Sequence, residues 1–109
     1  MLAYRSSGAR ALEALGDSTR RAIFERLVEG PRSVRQLADV LPVSRPAVSQ
    51  HLKVLKSAGL VIDQPVGTRR VYSVNAAGIE TIRDYFDQFW RQALVRFRAA
   101  ATQPTQEEE

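Results

Sequence analysis

The sequence predicts a mainly α-helical domain with one small β-hairpin. Apolar residues recur at helical spacing in five segments, and each segment is bounded by residues that start or stop helices. Between the fourth and fifth segments, two short β-prone runs flank Gly67. The chain has 109 residues, which is the length of one domain. We expect that domain to span residues 1–100, and the acidic end, residues 101–109, to be a disordered tail.

The first two helices are predicted on either side of a break before Asp17. The first spans about Gly8 to Leu15, and Asp17 can accept hydrogen bonds from the free amides of the next turn. The second runs from Ser18 to Glu29. It stops at Gly30 and Pro31, because glycine takes the left-handed exit conformation and proline cannot continue a helix. The apolar stripe of the second helix consists of Ala22, Ile23, Leu27 and Val28.

The third and fourth helices follow each other after a very short turn. Ser33 is the predicted cap of the third helix, and Pro42 ends it. Ser44 caps the fourth helix, and Pro46 falls in its first turn, where a missing amide costs nothing. Two helices joined in this way form a helix-turn-helix. The residues that face inward are Val34, Leu37, Ala38 and Leu41 on the third helix and Val48, Leu52 and Leu55 on the fourth.

After Gly59, which ends the fourth helix, the pattern changes to β-prone runs. Leu60 is expected to fold back onto Leu55, and the runs LVIDQ and RRVYSV form a hairpin that turns at PVGT. Asn75 then caps a long last helix. The apolar residues of that helix are spaced three or four apart, at Ile79, Ile82, Phe86, Phe89, Ala93 and Phe97, and Trp90 and Leu94 widen the stripe.

Composition and pattern exclude several kinds of site. There is no cysteine, so the chain has no disulfide, thiol nucleophile or thiolate metal ligand, which suits a reducing cytoplasm. No apolar run approaches the ~18 residues of a membrane span, and Arg5 and Arg10 interrupt the N-terminal stretch in a way that is untypical of a secretory signal. His51 is the single histidine and the carboxylates are scattered. We therefore expect a cytoplasmic protein that is not an enzyme and has no catalytic residue, metal or cofactor.

The net charge of +4 makes nucleic acid the first candidate partner. Short polar side chains on the front of the fourth helix can reach base edges in the major groove. Two arginines beside the hairpin turn can reach the minor groove or its phosphates. We therefore predict that the chain binds double-stranded DNA through Ser44, Arg45, Pro46, Ala47, Ser49, Gln50, His51, Lys53, Lys56, Thr68, Arg69 and Arg70.

Each of these residues also has an ordinary structural explanation. Ser44 alone is as well explained by its role as a helix cap, and arginines at a hairpin are more often simply solvated. The prediction of DNA binding rests on the combination of a short-turn helix pair, a polar front on its second helix and a basic hairpin after it. Two other functions fit the same scaffold: a protein-interaction adaptor, and a regulator with a small-molecule pocket near the last helix.

The chain resembles the ArsR/SmtB family of bacterial winged-helix repressors. The segments ALGDSTRRAIFERLVEG, SVRQLADVLPVSRPAVSQHLKVLKSAGLV and GTRRVYSV match the pattern of that family in order and spacing, over about residues 11–75. The resemblance implies a winged helix-turn-helix made of helices one to four, a two-stranded wing and a long C-terminal dimerisation helix. It also implies a homodimer that binds an inverted repeat in a promoter, with Arg45, Ser49 and Gln50 facing the bases.

The last helix carries more apolar surface than one small core can use. Either it covers the domain's own core, or it binds a ligand, or it pairs with a second copy across a two-fold axis. We favour the dimer, because readers of the major groove usually work as dimers. The predicted interface consists of Leu12, Ile82, Phe86, Phe89, Trp90, Ala93 and Phe97.

The chain departs from the metal-sensing members of the family that it resembles. Their Cys-Val-Cys motif aligns with Ser33, Val34 and Arg35, and their histidine-bearing site on the last helix aligns with Asp84 and Asp87. A transition metal needs three or four nitrogen, sulfur or carboxylate ligands in one cluster. No metal site is therefore predicted, and the inducer is not readable from the sequence.

Overall fold

The computed structural model describes residues 6–102. Most of the predicted helix boundaries are confirmed to within about one residue. The last helix extends to Thr102, two residues into the predicted tail, and the disorder predicted for residues 103–109 lies outside the described range. The elements in chain order are α1 (Ser7–Ala14), α2 (Ser18–Glu29), β1 (Arg32–Ser33), α3 (Val34–Val40), α4 (Arg45–Ser57), β2 (Val61–Val66), β3 (Arg69–Val74) and α5 (Ala76–Thr102).

The predicted caps begin α2, α3 and α4. The Asp17 carboxylate accepts hydrogen bonds from the amides of Thr19 and Arg20, both at 2.9 Å. Ser33 forms a capping box with Gln36, in which each side chain accepts a hydrogen bond from the backbone amide of the other residue. The amides at the start of these helices therefore have side-chain partners, as the sequence predicted.

The end of α4 directs the chain into the sheet. Gly59 has a φ of 79° and donates to the Lys56 carbonyl at 3.0 Å, and the Leu60 amide donates to the Leu55 carbonyl at 3.0 Å. These two bonds define a Schellman motif, whose left-handed residue is most often glycine because it has no Cβ. Leu60 is fully buried, which confirms that it folds back onto the end of α4.

One core lies between α1–α4 and the base of the hairpin. Val28, predicted on the buried stripe of α2, is instead 62% exposed. The reason is helical rotation: one residue turns the helix by about 100°, so Val28 cannot share the inward direction of fully packed Leu27. The buried apolar residues are Ala11, Ala14, Ile23, Leu27, Leu37, Val48, Leu52, Leu55, Leu60 and Val61.

The sheet has three strands in the order β1-β3-β2, which are the two predicted strands of the wing and one additional strand. β2 and β3 form the expected hairpin, from Val61 opposite Val74 to Val66 opposite Arg69. The additional strand, β1, is two residues long and pairs antiparallel with β3, so that Ser33 lies opposite Val71. Two residues are too few for a period of two to be visible in a sequence. This pairing fastens the start of α3 to the hairpin.

Helix α5 leaves the sheet and packs against α1. Gly78 is buried where α5 crosses the end of α4, and an added Cβ there would overlap the Gly59 carbonyl oxygen. That oxygen accepts a hydrogen bond from the Asn75 side chain at 2.9 Å, and the Asn75 Oδ1 in turn accepts from the Ala77 amide. The start of α5 is thus fixed against the core. From residue 86 onward, every described side chain except Leu94 is exposed.

Candidate nucleic-acid interface

The front of α4 presents polar side chains that the protein itself does not use. Arg45, Ser49 and Gln50 are exposed, while Val48, Leu52 and Leu55 on the other side of the helix are fully buried. Among residues 6–102, no side-chain hydrogen bond or ion pair engages Arg45, Ser49 or Gln50. Their donors and acceptors are therefore free to contact base edges.

The other predicted residues of α4 differ in how available they are. Lys53 is exposed, and so is Pro46 in the first turn. Ser44 is exposed, and its hydroxyl oxygen accepts a hydrogen bond from the Ala47 amide at 3.3 Å, so it is at least a cap. Ala47 is partly buried and keeps the surface of the helix low. These positions border the side chains of Arg45, Ser49 and Gln50 along the helix.

His51 is partly buried and lies near the start of α2. The pKa of the Asp17 carboxyl is below its ordinary value of 3.8, chiefly because the Arg20 amide donates a hydrogen bond to it, and His51 adds a smaller electrostatic contribution. Because it is partly buried, His51 is less available to DNA than exposed Lys53.

Asp63 joins α4 to the wing. One of its oxygens lies 2.8 Å from the Lys56 ammonium, and the other lies 3.3 Å from the Arg70 Nε. The Asp63 side chain is only 7% exposed, and its pKa is lowered, first by the hydrogen bond from Lys56 and also by the charge of Arg70. Two of the cations predicted to contact DNA are thus held by one carboxylate, which fixes the position of the wing relative to α4.

A surface cleft brings the start of α4 and the tip of the wing together. Its volume is about 350 Å³. The predicted residues Arg45, Thr68, Arg69 and Arg70 line it, and so do Ser33, Val34 and Arg35 at the start of α3. No carboxylate is among these lining residues. Four of the predicted residues, one on α4 and three at the wing, therefore share one basic cleft.

Sequence reasoning missed two residues of this surface. Asp63 stood out only as the lone acidic residue between positions 42 and 73, and Arg35 only as a position in a metal motif. Asp63 lies on β2 and reaches Arg70 across the hairpin, whereas Arg35 is brought to the wing by β1. The alternation of the hairpin strands could have placed Asp63 beside β3, but no sequence signal identified β1.

The described residues contain no group of three histidine, cysteine, aspartate or glutamate side chains that could hold a metal ion. Asp84 and Asp87 are both exposed on α5. At the position of the family's thiolates, Ser33 is buried and acts as the cap of α3. The structure of residues 6–102 also includes no helix long and apolar enough to cross a membrane.

The predicted interface residues divide into two groups. Leu12 and Ile82 are partly buried, and Ile82 packs against the core of its own domain. The remaining five are exposed, among them Phe89 at 49%, Trp90 at 65% and Phe97 at 70%. Tyr85 supports this face through an edge-to-face contact with Phe89, with ring centroids 4.7 Å apart. The helix thus presents a long apolar face that the described protomer does not cover.

Comparison with known proteins agrees with this architecture. Residues 17–63 match the model of the family described as bacterial regulatory protein, arsR family. The chain is 58% identical over 97 residues to the HTH-type transcriptional regulator Rv2034 of Mycobacterium tuberculosis, covering 89% of this chain and 90% of that protein.

Two solved structures extend the likeness to the fold. One is an ArsR-like transcriptional regulator from Rhodococcus sp. RHA1, with 31% identity, a TM-score of 0.79, and coverage of 86% of this chain and 89% of that one. The other is the homodimeric winged helix-turn-helix DNA-binding domain (fragment 1–100) Mb0332 from Mycobacterium bovis. It has 32% identity and a TM-score of 0.62, and 86% of this chain and 79% of that one are covered. The chain therefore belongs to the arsR family of bacterial regulatory proteins and is a transcriptional regulator with a winged helix-turn-helix DNA-binding domain.

Proposed function

We propose that the protein binds an inverted-repeat operator as a homodimer, with α4 in the major groove and the wing on the flanking backbone. The observation that carries this proposal is the shared cleft, because it puts Arg45 at the start of α4 and the arginines of the wing on one surface. A helix that enters the major groove needs such a second contact to fix its register on the duplex. Arg45, Ser49 and Gln50 read bases, and Lys53 and Arg69 contact phosphates.

The dimer in this proposal forms through α5. Residues 86–102 of this helix are almost entirely exposed, whereas most helical stability in proteins comes from packing of an apolar face. A second copy of α5 would cover Phe86, Phe89, Trp90, Ala93 and Phe97. The homodimeric state of the Mycobacterium bovis neighbour supports the same assembly. Two copies of α4 related by a two-fold axis then read the two halves of a palindrome.

By occupying promoter DNA, the dimer represses transcription in the bacterial cytoplasm. Action by binding and not by catalysis is supported by the similarity to transcriptional regulators. Clefts beside α5 do not favour a regulator with a small-molecule pocket along that helix. The two that α5 lines measure about 180 and 230 Å³, below the ~300–1,000 Å³ of typical ligand pockets.

Footprinting on the DNA upstream of the gene tests the proposal. We expect protection of two symmetric half-sites whose centres are about 34–36 Å apart, or a multiple of that distance. A deletion of the gene should raise expression of a reporter placed behind that DNA. Competition with an excess of unrelated duplex is the control. If the unrelated duplex competes for the protein as well as the upstream DNA does, sequence-specific binding is contradicted. That result would fit a protein-interaction adaptor.

A further inference from the structure

The cleft between α3, α4 and the wing concentrates positive charge without a counter-charge. Arg35, Arg45, Arg69 and Arg70 all line it, and no carboxylate does. Arg70 forms an ion pair with Asp63, which is not among the residues that line the cleft. Within residues 6–102, the other three arginines take part in no ion pair or side-chain hydrogen bond. Because like charges repel, a cleft of this composition fits an anion.

Arg35 owes its position to the short strand β1. Pairing of Ser33 with Val71 holds the first turn of α3 against the wing, and Arg35 follows two residues later. The Ser33 and Gln36 side chains already satisfy each other's amides at the helix start. Recognition of an anion in this cleft therefore falls mainly to the guanidinium groups that line it.

We propose that the cleft seats one backbone phosphate of bound DNA, and that Arg35 contacts this phosphate together with Arg69. This inference rests on the proposed function, because it takes the α4 and wing surface as the DNA-binding face. A guanidinium group offers a planar fork of N–H donors that matches two phosphate oxygens. A cleft of about 350 Å³ has room for a phosphate and its sugar. Arg35 then contributes affinity and register without base preference.

The test compares Arg35→Gln with wild type on the preferred duplex and on an unrelated duplex, across a series of salt concentrations. Both affinities should fall several-fold by a similar factor. The slope of log K against log salt should decrease by up to about 1.8 per dimer, because two copies of Arg35 are lost while Arg69 remains at each phosphate. Arg35→Lys should keep most of the slope, because it keeps the charge. Arg98→Gln, which removes an exposed arginine near the far end of α5, is the matched control and should change neither quantity.

The double variant Arg35→Gln/Arg69→Ala tests whether the two side chains share one phosphate. If they do, the loss in the double variant should differ from the sum of the two single losses. Additive losses would place the two arginines on separate phosphates and overturn the proposal of a shared phosphate.

Calorimetry with inorganic phosphate and no DNA tests whether the cleft binds a free phosphate ion and not a phosphate of the DNA backbone. Stoichiometric phosphate binding combined with an unchanged DNA salt slope in Arg35→Gln would assign the cleft to a free anion and overturn the proposal.

Failure of this inference is distinguishable from failure of the proposed function. If Arg35→Gln behaves like Arg98→Gln while Gln50→Ala relaxes base preference, the phosphate seat is wrong and the operator-binding proposal stands. If Gln50→Ala changes nothing but Arg35→Gln lowers the salt slope on every duplex, the seat stands and base reading by α4 is wrong. A wild-type protein that retains no duplex at low salt would overturn both.

Discussion

Gln50 and Arg45 are the side chains on which base preference should depend most. Both are exposed on the front of α4, and no other described side chain binds them. Replacing either by alanine should cost about 1–3 kcal/mol of affinity for the preferred site and should relax base preference. Binding to the preferred duplex and to singly substituted duplexes measures both effects. Arg69→Ala is the comparison, since it should weaken binding to all duplexes alike and flatten the salt dependence.

Asp63 should make the stability of the domain depend on pH. Its folded pKa is depressed below the ordinary value of 3.8, so its pairs with Lys56 and Arg70 stabilise the fold above that value. The contribution is lost as pH falls through the folded pKa. Asp63→Asn should therefore lower the free energy of unfolding near neutral pH, and the difference from wild type should vanish in strong acid. Denaturant unfolding at a series of pH values measures this. A difference of the same size at every pH would show that the carboxylate charge is not involved.

At the level of elements, α5 is unusual because its apolar face from residue 86 onward is exposed in the described protomer. Phe89→Glu or Trp90→Glu places a charge on its exposed apolar face and should give monomers, or unfolded chain if the interface is needed for folding. Sedimentation measures the change in assembly. Val28→Glu is a matched control, because Val28 is as exposed as Trp90 but lies on α2. A wild-type protein that sediments as a monomer at micromolar concentration would contradict a dimer formed through α5.

Some elements of the fold could be predicted from the sequence and others could not. Caps and stops such as Asp17, Ser33 and Gly59 are local, so they predicted the helix boundaries before any tertiary contact was known. Strand β1 was missed because a two-residue strand is defined by its partner and not by its own pattern. The polar front of α4 could be predicted because the apolar residues on the other side of the helix recur at helical spacing. The grouping of Arg35 with Arg45 and Arg69 could not, because it depends on β1.

At the scale of the whole molecule, the chain offers few side chains that bind transition metals well. It has no cysteine and one histidine, and that histidine lies on the helix proposed to face DNA. Exposed Asp84 and Asp87 could offer only hard oxygen ligands, which favour hydrated magnesium and calcium. Zinc, copper, nickel or cadmium at low micromolar concentration should neither bind stoichiometrically nor release the operator. Calorimetry and a mobility-shift titration measure both. One ion per protomer with coupled release of DNA would contradict this prediction.

Selection of binding sites from a random pool of DNA duplexes tests the central claim most directly, because it needs no knowledge of the regulated gene. Wild-type protein should enrich an inverted repeat with half-site centres about 10–10.5 base pairs apart, or a multiple of that spacing. Gln50→Ala should enrich a repeat of the same spacing with weakened preference at one position of each half-site. A pool that emerges from wild-type selection with the composition of the starting pool, or with a single unrepeated site, would contradict reading of DNA by two symmetry-related copies of α4.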